Sequence, residues 1–232
     1  MTLTLADVLT RAPLLVQDHA PTLDVTPDKQ EAIRQALAQY SIDAPRSIVA
    51  DLTGDGSTYD FDAPADYIDG ESRIEAIEYP AGEQSPVYLN PARYGIYRTS
   101  ATTKIRFVDL TPSTGETARV TFTAPHTLDG LDGADETTIP SRHDEAFVTL
   151  AAAQMMFLLA ARFLHEQENT IGADTVDRRS KSEEASRQAR ALLSSYRTMA
   201  RVSARGPAAL ARVQWTSAYA PGVGRLTHGR RG

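Results

Sequence analysis

Apolar residues recur along this chain at two different spacings, and the change from one to the other divides it. Near the start, Leu3, Leu5, Val8 and Leu9 make a short helical pattern that Pro13 interrupts. A better marked helix follows. Thr26 can cap it, Pro27 sits where a first turn tolerates proline, and Glu31 lies in the opening turns. Its apolar face is Ile33, Ala36, Leu37 and Tyr40, and Pro45 stops it.

From about Ser47 to Leu128 the texture is that of strands and turns. Ser47–Leu52 and Ser57–Phe61 flank Thr53-Gly-Asp-Gly56, and an Asp-Gly pair between short strands predicts a hairpin. Further strands are expected at Ser72–Tyr79, Tyr94–Thr99, Lys104–Leu110 and Thr117–Ala124. Pro64, Pro80, Pro86, Pro91 and Pro112 fall between them, where a missing N–H costs no ladder bond. Residues 129–138 read as a polar loop.

The helical period then returns. Ala146 to Leu164 is apolar almost all round, broken by Thr149, Gln154 and Arg162, which predicts a central helix buried on several sides. Its uncharged stretch, Ala146 to Ala161, falls short of the roughly 20 residues that cross a bilayer, so no membrane span is expected. Ser180-Lys-Ser-Glu183 suggests a capping box at the start of a last helix. The stripe of that helix, Ala185, Ala189, Leu192, Leu193, Tyr196 and Met199, would pack on the apolar one. The expected fold class is α+β: an antiparallel helix bundle with a β-rich insert and an extended C-terminal tail. Residues 1–46 supply the N-terminal helices, 47–139 the β-rich insert, 140–200 the long C-terminal helices and 201–232 the tail.

Composition sharpens this picture at one point. The net charge of the 232 residues is −6, yet 201–232 hold Arg201, Arg205, Arg212, Arg225, Arg230 and Arg231 and no acid. The first 200 residues therefore carry 18 basic against 30 acidic groups. An acidic body with a basic tail is the asymmetry of an interaction arm. Cysteine is absent, which removes disulfides, thiol nucleophiles and thiolate metal sites. The opening residues lack the basic and long apolar regions of a signal peptide.

Chemistry is sparse. His19, His126, His143, His165 and His228 are scattered and never take the His-Glu-x-x-His spacing that sets two ligands on one helix face. Asp129, Asp132 and Asp135 lack the alternating ligands of a calcium loop. Asp60 and Asp62 could be an acid–base pair, but nothing separates them from surface charge. No phosphate loop or nucleophile elbow is present, Gly222-Val-Gly-Arg225 being a chance match. We expect no catalytic residues, no metal, no cofactor and no enzymatic activity. The tail arginines with Trp215 and Tyr219 could hold nucleic acid, but they are spread thinly beside an acidic body.

The order of parts resembles the head–tail adaptor (connector) proteins of tailed bacteriophages. The residues that carry this are Ile48-Val-Ala-Asp-Leu-Thr-Gly-Asp-Gly-Ser-Thr-Tyr-Asp-Phe61, then Val120-Thr-Phe-Thr-Ala-Pro-His-Thr-Leu128 leading to Thr137-Thr-Ile-Pro140. The Ala-rich helix, Asp174-Thr-Val-Asp-Arg-Arg-Ser-Lys-Ser182 and Ala189-Arg-Ala-Leu-Leu-Ser-Ser-Tyr196 complete it, over roughly residues 3–200. These are structural punctuation, not catalytic signatures. The resemblance implies a homo-oligomeric ring, a dodecamer, docked beneath the portal protein, with stopper or tail proteins below. DNA would pass through its lumen without specific binding. The protein would sit in the virion neck, after assembly in the host cytoplasm. In several adaptors the C-terminal extension reaches the portal. Here Arg212-Val-Gln-Trp-Thr-Ser-Ala-Tyr219 alternates so that Val213, Trp215 and Tyr219 share one face of an extended strand. Arg212, Val213, Trp215, Tyr219 and Arg225 are the expected portal-binding residues, since Trp, Tyr and Arg most often anchor interfaces. Two other readings stay open: a neck stopper or tail-completion protein, and a β-domain module for a host-surface ligand lined by Tyr59, Phe61, Tyr67, Tyr79, Tyr88, Tyr94 and Tyr97.

Overall fold

A computed structural model describes residues 2–16, 26–167 and 175–201. Helix α1 (Leu5–Arg11) opens on a capping box: the Thr4 hydroxyl accepts from the Asp7 N–H, and the Asp7 carboxylate accepts from the Thr4 N–H. A 3₁₀ stretch, 12–16, carries Pro13 onward from it. Helix α2 (Thr26–Asp43) ends two residues before Pro45. Helices α3 (Asp144–Gln167) and α4 (Thr175–Met199) form a long hairpin, and α1 and α2 pack on α3.

One core joins all four helices. It holds Val8, Ile33, Tyr40, Phe147, Leu150, Met155, Met156, Leu159, Ala185 and Tyr196, all fully or almost fully buried. Alanines at 151, 152, 185 and 189 let the α3 and α4 backbones approach closely. The Ser182 hydroxyl, buried in that seam, donates to the Ala160 carbonyl at 2.9 Å. Ser141–Leu164 is long and apolar enough to cross a membrane by composition. However, 67% of its most apolar window is buried within the protein, which is the position of a core helix.

The middle of the chain builds two three-stranded antiparallel sheets. With β1 (Arg46–Thr53), β2 (Asp60–Asp62), β3 (Ile74–Glu78), β4 (Tyr94–Arg98), β5 (Thr103–Phe107) and β6 (Thr117–Ala124), their orders are β1-β6-β3 and β2-β5-β4. The sheets share a second core, in which Ile77, Ile105, Phe107, Val120 and Phe122 are buried. On β6 the even positions from Ala118 to Ala124 are all buried and the odd ones are not, as a half-buried strand requires. Leu128, Leu131 and Ile139, beyond β6, join the helical core instead.

The α+β class with an antiparallel bundle and a β-rich middle is therefore observed. Two local expectations are overturned. The Thr53–Gly56 turn does not close a hairpin: β1 pairs with β6, β2 pairs with β5, and the turn passes from one sheet to the other. Asp55 accepts from the N–H groups of Ser57 and Thr58, and Gly56 has φ +81°, so the turn chemistry is real while its strands lie apart. Ser180-Lys-Ser-Glu183 is no cap, because α4 already begins at Thr175.

Candidate assembly interface

Three parts of the molecule meet at one joint: the end of α2, the chain leaving β6, and the start of α3. His126 pins them. Its N–H donates to Ser41 Oγ at 2.9 Å, its Nε2 lies 2.8 Å from the Ala44 carbonyl, and its Nδ1 lies 3.0 Å and 3.2 Å from the Thr138 carbonyl and Oγ1. Burial pushes the imidazole pKa below its ordinary 6.5, outweighing the two carbonyls that favour the charged ring. In the neutral ring, Nε2–H donates to Ala44 and Nδ1 accepts from the Thr138 hydroxyl. The Tyr40 ring packs against His126 at 4.9 Å, and its hydroxyl lies 2.6 Å from His143 Nδ1. Burial lifts that phenol to about 12.

The tail leaves from the same joint. The Tyr196 hydroxyl donates to Asp43 Oδ2 at 2.9 Å, tying the last turn of α4 to the last residue of α2. Ala200 is buried, its N–H donates to the Tyr196 carbonyl, and Arg201 takes φ +56°, which ends the helix. Arg212, Val213, Trp215, Tyr219 and Arg225 lie outside the described residues.

Both sheets present charge ladders on their outer faces. Arg119 on β6 bonds Asp51 on β1 at 2.9 Å and approaches Glu78 on β3 at 3.8 Å. On the second sheet, Arg106 takes Asp60 in a two-pronged contact at 2.6 Å, and Lys104 bonds Asp62 at 2.9 Å. The Arg106 hydrogen bonds hold the Asp60 carboxyl below the usual carboxylate range. Asp60 and Asp62 therefore face cationic partners across a strand pair, an arrangement suited to register rather than proton transfer.

The aromatic residues of the insert do not make one groove. Phe61, Tyr67, Tyr79 and Tyr94 pack against the sheet core. Tyr97 lies under the Arg106 guanidinium at 3.5 Å, with Tyr59 at 5.5 Å. Between Tyr67, Arg73, Tyr94 and Arg98 is an open depression of about 400 Å³, on whose rim Arg98 is paired with Asp69 at 2.5 Å. In the loop that carries Asp129, Asp132 and Asp135, Arg34 donates to both oxygens of Asp132 at 2.8 and 2.9 Å. Among the described residues no three His, Asp or Glu side chains converge as metal ligands.

The joint was not singled out by the sequence. His126 reads there as punctuation after Ala124-Pro125, and only its place between a strand and a Thr-rich loop hinted at a buried polar group.

No family model and no curated protein matches the sequence. Among solved structures, the chain is similar to one from the neck of a native GTA particle computed with C12 symmetry. That match has 19% identity and a TM-score of 0.27, over 66% of this chain and 80% of that one. It is also similar to one from the neck of an empty GTA particle computed with C6 symmetry, at 19% identity and a TM-score of 0.25 over 53% of this chain. This chain spans 62% of the length of the latter.

Proposed function

We propose that this chain is a structural head–tail adaptor, forming a ring beneath a portal protein that links capsid to tail and continues the DNA channel. The observation that carries the reading is the charge separation about the joint. An acidic two-core body ends at Arg201, and the chain beyond holds Trp215, Tyr219, five further arginines and no acid. A basic, aromatic arm leaving an acidic body fits docking on a partner, through main-chain pairing along a sheet edge and side-chain pockets. Acidic walls would let DNA slide, since tight phosphate contacts would hold it in place. On this reading the ring is homo-oligomeric, of twelve copies, the protein acts without enzymatic chemistry or cofactor, and stopper or tail proteins bind below.

Electron microscopy of the full chain mixed with the portal protein of its own particle tests this. A ring stacked on the portal is expected, and Trp215→Ala together with Tyr219→Ala should abolish it. A ring that persists in the double variant removes the tail from the interface and leaves the adaptor role. No complex with either chain overturns the adaptor role.

A further inference from the structure

Helix α4 is basic where the rest of the body is acidic. From Ala185 to Arg201 the chain holds Arg187, Arg190, Arg197 and Arg201 and no acid, whereas the first 200 residues carry 18 basic against 30 acidic groups. Ala185, Ala189 and Tyr196 take the face of α4 that is buried in the helical core. At 3.6 residues per turn, Arg187, Arg190 and Arg197 then fall within about 80° of one another on the outward side, over about 15 Å of helix. All three are exposed, with the short side chain of Ser194 among them.

This seam is unmatched. Arg98, Arg106 and Arg119 on the sheets each hold an aspartate, but among the described residues no carboxylate lies within ion-pair distance of Arg187, Arg190, Arg197 or Arg201. Arg187 and Arg190 are neighbours on the helix surface, and like charges so placed cost helix stability, which an anionic partner would offset.

A second copy of the chain offers that partner. The loop Asp129–Glu136 carries Asp129, Asp132, Asp135 and Glu136 and no base. It is firmly held: the Gly130 N–H donates to the Ala134 carbonyl, the Thr127 hydroxyl donates to the Glu136 carbonyl, and Leu131 is buried in the helical core. The Leu5 N–H of α1 donates to the Asp129 carbonyl, and Arg34 of α2 holds Asp132. Asp135 and Glu136 stay exposed, so docking on them carries little ordering cost.

The two surfaces lie on different flanks of one molecule. Helix α4 packs on α3, and so do α1 and α2, which anchor the loop, while α4 hardly touches either of them. Yet both surfaces reach the joint: the last turn of α4 is tied to Asp43, and the loop follows His126. Copies standing side by side would therefore meet at one level. Complementary patches on separate flanks make a head-to-tail contact, which closes into a ring instead of stopping at a dimer. Ile42 and Met199, 67% and 41% exposed at that end, add apolar area to a contact that charge orients.

We propose that the α4 arginines of one copy dock on the Asp129–Glu136 loop of the next, and that this contact runs around the ring. It rests on the ring of the adaptor reading and not on its portal contact. It also covers cationic groups of the body that would otherwise bind the phosphates of passing DNA.

The chain has no cysteine, so an introduced pair reports on this contact alone. Arg197→Cys and Asp135→Cys in one chain, oxidised without portal protein, should give a ladder of dimers, trimers and larger species on denaturing gels. Either single variant should stop at the dimer. Adding Arg190→Glu to the double-cysteine chain should cut the ladder at least about fivefold, and adding Glu136→Lys to that should restore it. Monomers or dimers alone from the double-cysteine chain overturn the proposal, as does a ladder that Arg190→Glu leaves unchanged. So does loss of binding to a mixed-sequence DNA duplex in Arg190→Glu with the ladder intact, which assigns the seam to phosphate. Portal binding is scored separately. A ladder without a portal complex keeps the contact and ends the adaptor reading, and a portal complex without a ladder does the reverse.

Discussion

His126 shows how a single side chain holds a joint. It is buried, both ring nitrogens meet protein oxygens, and its N–H is also used. Because burial lowers the pKa of His126 and of His143 below the ordinary 6.5, the unfolded chain takes up protons first as the pH falls. The contribution of these two histidines is therefore steady above about pH 7 and declines through pH 6.5 toward 5. The urea midpoint measured across that range should fall, and His126→Gln should flatten the decline. The carboxylates held low by hydrogen bonds, Asp7, Asp60, Asp69 and Glu116 among them, act in a separate window. Their contribution is present above their ordinary values near 4 and is lost below them. Tyr196 is the second residue of the joint. Tyr196→Phe keeps the buried ring and removes the bond to Asp43, and should cost about 1–2 kcal/mol in urea unfolding.

At the scale of elements, the central strand β6 decides the β unit. Phe122 is fully buried, touches the Tyr67 ring at 5.8 Å, and pairs with Ile48 on one side and Ile74 on the other. Phe122→Ala should destabilise that unit by about 3–5 kcal/mol, read by the loss of amide protection in β1, β3 and β6. Gly54 is a second control point, for a steric reason and not a conformational one. A Cβ there would meet the Ser113 and Pro112 carbonyl oxygens at 2.5 and 2.6 Å. Backbone cannot yield as a side-chain tip can, so Gly54→Ala should cost about 1–3 kcal/mol in thermal or urea unfolding. Gly82→Ala has open space and only its positive φ against it, and should cost less. Gly54 also marks where the sequence misleads: its Asp-Gly turn is local, but the choice of strand partner is settled by β6 and β5, more than 40 residues away.

The whole molecule is two cores on one joint. Helical and β residues form separate clusters, with the hydrogen bonds of His126 spanning α2, the exit of β6 and the loop before α3. We expect the two cores to melt separably, so calorimetry of Phe122→Ala should show a lowered β transition with the helical one kept. A single transition that shifts as a unit would mean the joint couples them fully.

Much of this architecture was legible along the chain. Period fixed the helices, because Ile33, Ala36, Leu37 and Tyr40 can share a buried face only at 3.6 residues per turn. It also fixed β6, whose alternating residues can be half-buried only in a strand. The apolar run from Ala146 declared a core helix, and the arginines gathered after Ala200 declared the tail. Tertiary structure alone decided which strands pair, that Leu128, Leu131 and Ile139 serve the helical core, and that His126 is a buried pin. It also decided that the last turn of α4 is tied to Asp43, the last residue of α2. The division has one cause. Local sequence sets which face of a segment is apolar, whereas pairing, joints and edges depend on which distant segment covers that face, and no spacing within the segment encodes its partner.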